Sequence, residues 1–250
     1  MKNFFFVVNG KKLKNYSIII LTALVTAWLI YIQNISVMLF SSPAEPVALY
    51  RGKEGVALTF NITWGDTKAE PIIDELIKNE VKAATFFLSG SWAERHPHIV
   101  EKISKAGYEI GLLGYRYVDY EELSDNEIRQ DIRQAEEIFK KLNIKHEKIL
   151  RAPNGYFDKR LIKIAENMGY TVIHWSINSN DWKNPGVEKI IDNVKEVKKG
   201  DIILLHASDS ARQTAVALPQ ILQLIKEKQL KLVTTTEMLI DGKAETKEIQ

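Results

Sequence analysis

Short apolar runs alternate with amphipathic stretches along most of the chain, from Val56 onward. The apolar runs predict strands at 56–61, 84–89, 108–112, 148–151, 171–176, 201–206 and 230–235. The amphipathic stretches predict helices at 69–79, 96–106, 124–142, 158–168, 187–197 and 213–228. This alternation indicates a parallel sheet, either closed as a barrel or open and doubly wound. No glycine-rich phosphate loop follows any of these strands, which favours the barrel.

Local signals support several helix boundaries. Ser124 and Glu127 form a capping-box pattern at the start of the longest predicted helix. Gly107, Gly169 and Gly200 each follow a helical pattern, where glycine commonly ends a helix.

The N-terminal part of the chain has a different pattern. An uncharged apolar run at 16–32, with a weaker continuation to Phe40, is just long enough to cross a membrane as a helix. Three lysines lie within 11–14 and no basic residue follows the run until Arg51, which predicts a cytoplasmic N-terminus and a domain outside the cytoplasm. A cleavable signal peptide is the alternative, but the proline of Ser42-Pro43-Ala44 makes a poor cleavage site.

These patterns divide the chain into five parts: a basic tip (1–15), a transmembrane anchor (16–40), a linker (41–55), the alternating domain (56–240) and a polar tail (241–250).

The charge of the predicted domain is close to balanced. The chain has 34 Lys and Arg against 32 Asp and Glu, with a formal net charge of +2. Four of the basic residues and no acidic residue lie within 1–41, which leaves 30 basic residues against 32 acidic ones. A folded part without a basic excess argues against a nucleic-acid-binding protein. The absence of cysteine excludes disulfides, thiolate catalysis and cysteine-ligated zinc.

Four predicted strands release polar side chains at or just beyond their C-terminal ends. The residues concerned are Asn61, Arg151, Asp181 with Trp182, and His206. Ligands of parallel α/β folds bind at this edge of the sheet, so we expect these side chains to share one cleft.

The same segments resemble, in order along 56–240, the motifs of the polysaccharide deacetylases of the NodB-homology family. The similar segments are Thr59-Phe60-Asn61-Ile62 to Thr-Phe-Asp-Asp, Arg151-Ala152-Pro153 to Arg-x-Pro, Asn178-Ser179-Asn180-Asp181-Trp182 to Asp-x-x-Asp-Trp, and Leu204-Leu205-His206 to Leu-x-His. The resemblance implies the family fold, a distorted seven-stranded (β/α) barrel. Trp64-Gly65-Asp66 and the run at 91–97 resemble the sporulation members of the family most closely.

The resemblance also implies roles for individual residues. Family members hydrolyse the acetamide C–N bond of N-acetyl sugars with a divalent metal held by one Asp and two His, while a second Asp acts as general base. On this basis His206 protonates the leaving amine, Asp181 orients His206, and Arg151 orients the base. Trp182 and Leu204 line the substrate pocket.

The sequence departs from the family pattern at the metal and at the base. The base position is Asn61, an amide that accepts no proton at ordinary pH. The metal positions are Ile62, Leu113 and Tyr117. We therefore expect no resident cofactor. Zinc or another divalent ion would be bound only through displaced ligands.

Several residues leave two interpretations open. Asp66 is either a displaced carboxylate for a metal or base, or the N-cap of the helix at 69–79. His96 and His98 are either a metal-binding pair or exposed residues at a helix start. Trp92 and Trp175 could also stack on a sugar, but Trp175 lies in a predicted strand, which favours a place in the core. Aromatic rings that would stack on a sugar are expected from Trp64, Tyr115 and Tyr117.

The resemblance implies a membrane-anchored protein with its domain outside the cytoplasm, in the forespore or mother-cell membrane facing the spore cortex. Its partners would be the membrane and a cell-wall glycan such as peptidoglycan, without nucleic acid, and it would have little or no metal-dependent deacetylation. One alternative is an active N-deacetylase with ligands recruited from Asp66, Asp119 or Asp209. Another is a non-catalytic scaffold for spore proteins.

Overall fold

A computed structural model describes residues 15, 20–28 and 47–240. Residues 20–28 are helical and exposed. Within the described parts of the chain, no helix combines the length and the apolar character that crossing a membrane requires. Most of the predicted anchor at 16–40 and all of the polar tail at 241–250 lie outside the described residues.

The domain is built on one sheet of seven parallel strands. They are β1 (Ala57–Ile62), β2 (Thr85–Leu88), β3 (Glu109–Leu112), β4 (Ile149–Leu150), β5 (Thr171–Val172), β6 (Ile177–Asn178) and β7 (Ile202–His206). Their order in the sheet is β5-β4-β3-β2-β1-β7-β6, and each neighbouring pair is parallel. The edge strands β5 and β6 do not pair with each other in the described sheet. The expected closed barrel is therefore an open half-barrel.

Eight helices surround the described sheet. They are α1 (Ala69–Lys78), α2 (Gly90–Arg95), α3 (Pro97–Lys105), α4 (Asp125–Lys141), α5 (Lys159–Asn167), α6 (Val187–Val194), α7 (Thr214–Glu227) and α8 (Thr235–Ile240), with a 3-10 turn at Asp181–Lys183. The six predicted helices are all present, and the capping box of Ser124 and Glu127 forms as expected. The two helices that the sequence did not predict, α2 and α8, have six residues each, too few to show a clear helical period.

Two predicted strands are wrong in whole or in part. The run at 230–235 forms only an isolated bridge between Val56 and Leu232, and α8 begins at its end. The strand predicted at 171–176 is too long, because β5 ends at Val172 and the next strand, β6, begins only at Ile177. Between these strands, the carbonyl oxygens of Ile173 and His174 accept hydrogen bonds from the buried Arg151 side chain.

The segment expected to be a linker at 41–55 is partly folded onto the domain. Leu49 is buried and bridges to Ile173 beyond the edge strand β5. Arg51 forms an ion pair with the buried Asp201, with 2.6 Å between guanidinium and carboxylate. Residues from 47 onward therefore pack as part of the folded unit.

The central strand β1 determines where polar groups can enter the interior. Leu58, Phe60 and Ile62 belong to the main apolar core. The alternate residues Thr59 and Asn61 are also buried, but their side chains meet Arg151 instead. The pleat of one strand thus places a polar row beneath the C-terminal edge of the sheet.

Candidate active site

A histidine–aspartate pair lies at the end of β7. His206 Nδ1 donates to Asp181 Oδ1 at 2.8 Å. The other carboxylate oxygen accepts from the His206 backbone N–H and from the Thr214 hydroxyl, each at 2.7 Å. Asp181 is fully buried, whereas the His206 side chain keeps 18% of its surface exposed. The carboxylate fixes the ring orientation and the tautomer at Nδ1, which leaves Nε2 available to the cleft.

Arg151 lies directly beneath this edge and is fully buried. Its guanidinium donates to the Thr59 hydroxyl and to Asn61 Oδ1, both at 2.9 Å, and to the carbonyls of Ile173 and His174. Burial lowers the pKa of Arg151 to about 9, so the group remains a cation at neutral pH. No carboxylate among the described residues pairs with it.

Asn61 connects the arginine with the histidine. It is the register partner of His206 between β1 and β7, so the two side chains lie next to each other at the end of the sheet. Because Asn61 Oδ1 accepts from Arg151, its amide NH₂ is the group left for the cleft. The side chain can donate hydrogen bonds there but cannot act as a general base.

The three expected metal positions do not form a ligand set. Ile62 and Leu113 are fully buried in apolar clusters and carry no ligand atom. Tyr117 is 64% exposed. Within the described ranges, no three His, Cys, Asp or Glu side chains come together as a metal would require. The donor chemistry of these positions therefore does not fit the family's divalent ion.

A cleft of about 610 Å³ opens over the pair, and Asn61, Leu204 and His206 are among its lining residues. Exposed aromatic side chains surround it, namely Trp64, Tyr117, Tyr156 and Trp182. The structure thus brings together most of the side chains expected from the sequence, with Arg151 directly below.

Tyr115, also expected to face a sugar, lies outside the cleft. Its backbone N–H donates to Asp131 at 2.7 Å, and its hydroxyl lies 3.5 Å from Glu94. The buried carboxylate of Asp131 holds the turn after β3 and directs Tyr115 toward α2 and α4.

The sequence did not identify several residues of the cleft wall, Tyr156 and His174 among them, and it favoured the core for Trp175, which also lines the cleft. Trp175 was expected in the core, but it is half-buried and its ring stacks on His174 at 3.8 Å. A side chain at Gly155 would place its Cβ 2.2 Å from the Trp175 ring, so only glycine lets the loop carrying Tyr156 lie there. The Asn154-Gly155 turn signal was the available clue to this loop.

His174 is held as a neutral imidazole. Burial, and secondarily the charge of Arg151, lowers its pKa to about 3. Its Nδ1 is buried without a hydrogen-bond partner.

The N-cap interpretation of Asp66 is wrong, because the N-cap residue of α1 is Lys68, whereas a metal or base role for Asp66 stays a prediction. Its carboxylate contacts His96 Nε2 at 2.6 Å, and His96 is buried and stacks on Trp92 instead of being exposed. The carboxylate that accepts the backbone N–H groups preceding α1 is Asp209, which binds those of residues 66, 67 and 68.

Asp119 accepts the backbone N–H of Glu121. The three candidate replacement carboxylates, Asp66, Asp119 and Asp209, therefore have separate structural partners and do not converge on the cleft as one ligand group.

A sequence model described as polysaccharide deacetylase matches residues 50–173. A peptidoglycan-N-acetylglucosamine deacetylase of Bacillus cereus is 35% identical over 188 residues, which cover 74% of this chain and 87% of that protein. The crystal structure of BA3943, a CE4 family pseudoenzyme from Bacillus anthracis, aligns with a TM-score of 0.73 at 30% identity, over 78% of this chain and 70% of that one. A BA3943 mutant described as having restored enzymatic activity aligns with the same TM-score and identity, over 78% and 72% of the two chains.

Proposed function

The chain belongs to the polysaccharide deacetylase family, and from that premise we propose that it is a glycan-binding member with little or no metal-dependent deacetylation. The glycan would be peptidoglycan or a related N-acetyl polysaccharide. The observation that carries the proposal is the contrast between an ordered Asp181–His206 pair and buried Ile62 and Leu113 side chains at two metal positions.

The chemistry of the remaining residues supports binding more than hydrolysis. Asn61 cannot take a proton from water. Among the described residues no His, Asp and Glu side chains are grouped to hold the metal that would activate water or polarise the acetyl carbonyl. His206 keeps the orientation of a general acid, but an acid alone does not generate the nucleophile that amide hydrolysis needs. Exposed Trp64, Tyr156 and Trp182 offer flat faces around the cleft, which suit the apolar faces of sugar rings.

The relatives support the same proposal. The Bacillus cereus relative is named for peptidoglycan N-acetylglucosamine, which favours a cell-wall glycan here. The neighbour BA3943 is described as a pseudoenzyme, which favours loss of hydrolysis with retention of the fold.

The cellular setting is part of the proposal. The apolar run at 16–32 and the lysines before it suggest a membrane anchor with the domain outside the cytoplasm. The sequence similarity to sporulation members of the family suggests a role at the spore cortex.

Metal content and acetate release test the proposal directly. The purified full-length protein is expected to contain substoichiometric zinc and to release no acetate from N-acetylglucosamine oligomers, while binding them in calorimetry. Stoichiometric zinc together with acetate release would contradict the inactive assignment. Unchanged oligomer affinity after Trp182→Ala would argue against glycan binding in the cleft and favour the scaffold alternative.

Restoring the family pattern tests the assignment of the metal positions. The combined substitutions Asn61→Asp, Ile62→Asp, Leu113→His and Tyr117→His are expected to create a zinc site with acetate release, because they return one Asp and two His as ligands and one Asp as base. The restored activity described for a BA3943 mutant supports such a repair.

The matched control omits Ile62→Asp and is expected to bind zinc about tenfold or more weakly, since it lacks the carboxylate ligand. Circular dichroism identifies variants that fold. A folded quadruple variant that takes up no zinc would mean that the metal positions are assigned incorrectly.

A further inference from the structure

The floor of the cleft carries hydrogen-bond donors where the family pattern has a carboxylate. Asn61 Oδ1 is occupied by Arg151 at 2.9 Å, so the Asn61 amide presents N–H groups to the cleft. His206 lies beside it in the β1–β7 register, with Nδ1 bound to Asp181. Its Nε2 is the ring nitrogen left on the side of the cleft.

The same floor lies above a cation without a counter-ion. Four of the five N–H groups of Arg151 donate to neutral oxygens, and no described carboxylate reaches it. The Phe87 ring lies 4.1 Å from the guanidinium carbon and that of Trp175 lies 5.6 Å away. Such apolar surroundings screen a charge poorly, so it attracts an anion in the adjacent cleft.

The other charged groups of the cleft do not cancel the attraction of Arg151 for an anion. Glu121 is the acidic residue among the described lining, and Lys183 is a base in the same lining. The Asp181 carboxylate is buried and saturated by His206 and Thr214, so it presents no oxygen to a ligand.

We propose that the cleft floor, at Asn61 Nδ2 beside the His206 ring and above the Arg151 charge, is a carboxylate-binding subsite. The glycan that occupies it would carry a carboxyl group, such as a lactyl ether or a uronic acid. This inference rests on the proposed glycan-binding function and narrows its ligand class. Where the family pattern has Asp at this position, the site contains the carboxylate of that residue. With Asn61 in its place, the site accepts the carboxylate of a ligand.

Calorimetry on the full-length protein at pH 6 tests the subsite with acetate as the probe and acetamide as its neutral isostere. Acetate is expected to bind at least about tenfold more tightly than acetamide. Asn61→Asp supplies an internal carboxylate to Arg151 and is expected to weaken acetate binding by about tenfold or more. Asn126→Asp, the same charge change at an exposed position of α4, is the control and is expected to change the affinity by less than about twofold.

Three results would overturn the proposal: equal binding of acetate and acetamide, equal weakening by both variants, or no acetate binding. A parallel titration with uncharged N-acetylglucosamine oligomers separates this proposal from the general one. Oligomer binding without acetate binding would remove only the carboxylate subsite, whereas the absence of both would also contradict the glycan-binding function.

Discussion

At the scale of single residues, the buried guanidinium of Arg151 makes residue 61 a stability determinant as well as a functional one. A buried charge whose partner has been removed is strongly destabilising. Asn61→Asp returns an anion to the same place, so we expect the free energy of unfolding at pH 7 to rise by about 1–3 kcal/mol. Urea denaturation measures the change.

The exposed Asn126→Asp variant is the control for that experiment and is expected to leave the unfolding free energy nearly unchanged. An Asn61→Asp protein no more stable than the parent would mean that its neutral hydrogen bonds already compensate the Arg151 charge.

His174 makes the free energy of unfolding depend on pH in the acidic range. Burial first, and then Arg151, lowers its folded pKa to about 3, below the unfolded value of about 6.5. On acidification the unfolded chain gains this proton before the folded one, so stability is lost as the pH falls from about 6.5 toward 3. At about pH 4.5 this loss is on the order of 2–3 kcal/mol.

His174→Phe removes that proton linkage. The variant is expected to lose less stability than the parent between about pH 7.5 and pH 4.5, as measured by urea unfolding at both. His98→Phe, at an exposed position, serves as the control. If the parent and His174→Phe lose the same free energy of unfolding between these two pH values, the His174 imidazole is solvated in the folded protein.

The strand ends predicted which side chains share the cleft, and the family resemblance implied the pairing of Asp181 with His206 and of Arg151 with residue 61 that the structure has. Asn61, Asp181 and His206 end predicted strands or follow them, and a parallel sheet brings such ends together. The pairing of Asp66 with His96 lies outside that logic, because two loops 30 residues apart in sequence meet only after folding.

At the scale of elements, Asp209 couples the loop carrying Trp64 to the start of α1. Its carboxylate accepts N–H groups from residues 66, 67 and 68, and Gly65 packs so closely that an added Cβ would lie 2.4 Å from it. Burial raises the pKa of Asp209, but these backbone hydrogen bonds outweigh it and the net shift is downward. The anion therefore stabilises the fold above its ordinary pKa, and this contribution is lost as the pH falls.

Asp209→Ala is expected to lower the free energy of unfolding by about 1–2 kcal/mol, because donors before α1 lose their acceptor. The backbone amides of residues 67 and 68, which lose their acceptor, should also exchange faster with solvent. Asp192→Ala, which removes an exposed carboxylate with only lysine partners, is the control. Equal stability of both variants would contradict the capping role.

Helices were the elements that the sequence predicted best, because amphipathic periods and caps are local. The capping box at Ser124 fixed the start of α4 within one residue. Strand β6 could not be foreseen in the same way, since it has two residues, too few to show a period, and the contact of the preceding Ile173 carbonyl with Arg151 spans 22 residues of sequence.

At the scale of the whole molecule, the two edges of the sheet have different tasks. The C-terminal edge holds the cleft, whereas the N-terminal edge joins distant parts of the chain through Glu109. This buried carboxylate accepts from the Thr85 hydroxyl at 2.6 Å, from the Thr235 hydroxyl and N–H, and from the Thr236 N–H. It thereby anchors α8 to β2 and β3 across 126 residues of sequence. The apolar pattern at 230–235 does not reveal this contact, so the run was predicted as a strand.

Glu109→Gln tests this anchor. Replacing one acceptor oxygen by NH₂ places a donor against donors in a buried site, so we expect a loss of about 1–3 kcal/mol of unfolding free energy. Cleavage within α8 should also become faster in limited proteolysis, because the helix loses its attachment to the sheet. The cleft residues lie at the other edge, so the affinity for N-acetylglucosamine oligomers should remain that of the parent under conditions where the variant is folded.

Glu137→Gln on the exposed face of α4 is the control. If α8 is cleaved faster in both variants, the hydrogen bonds of Glu109 are not what attaches α8 to the sheet.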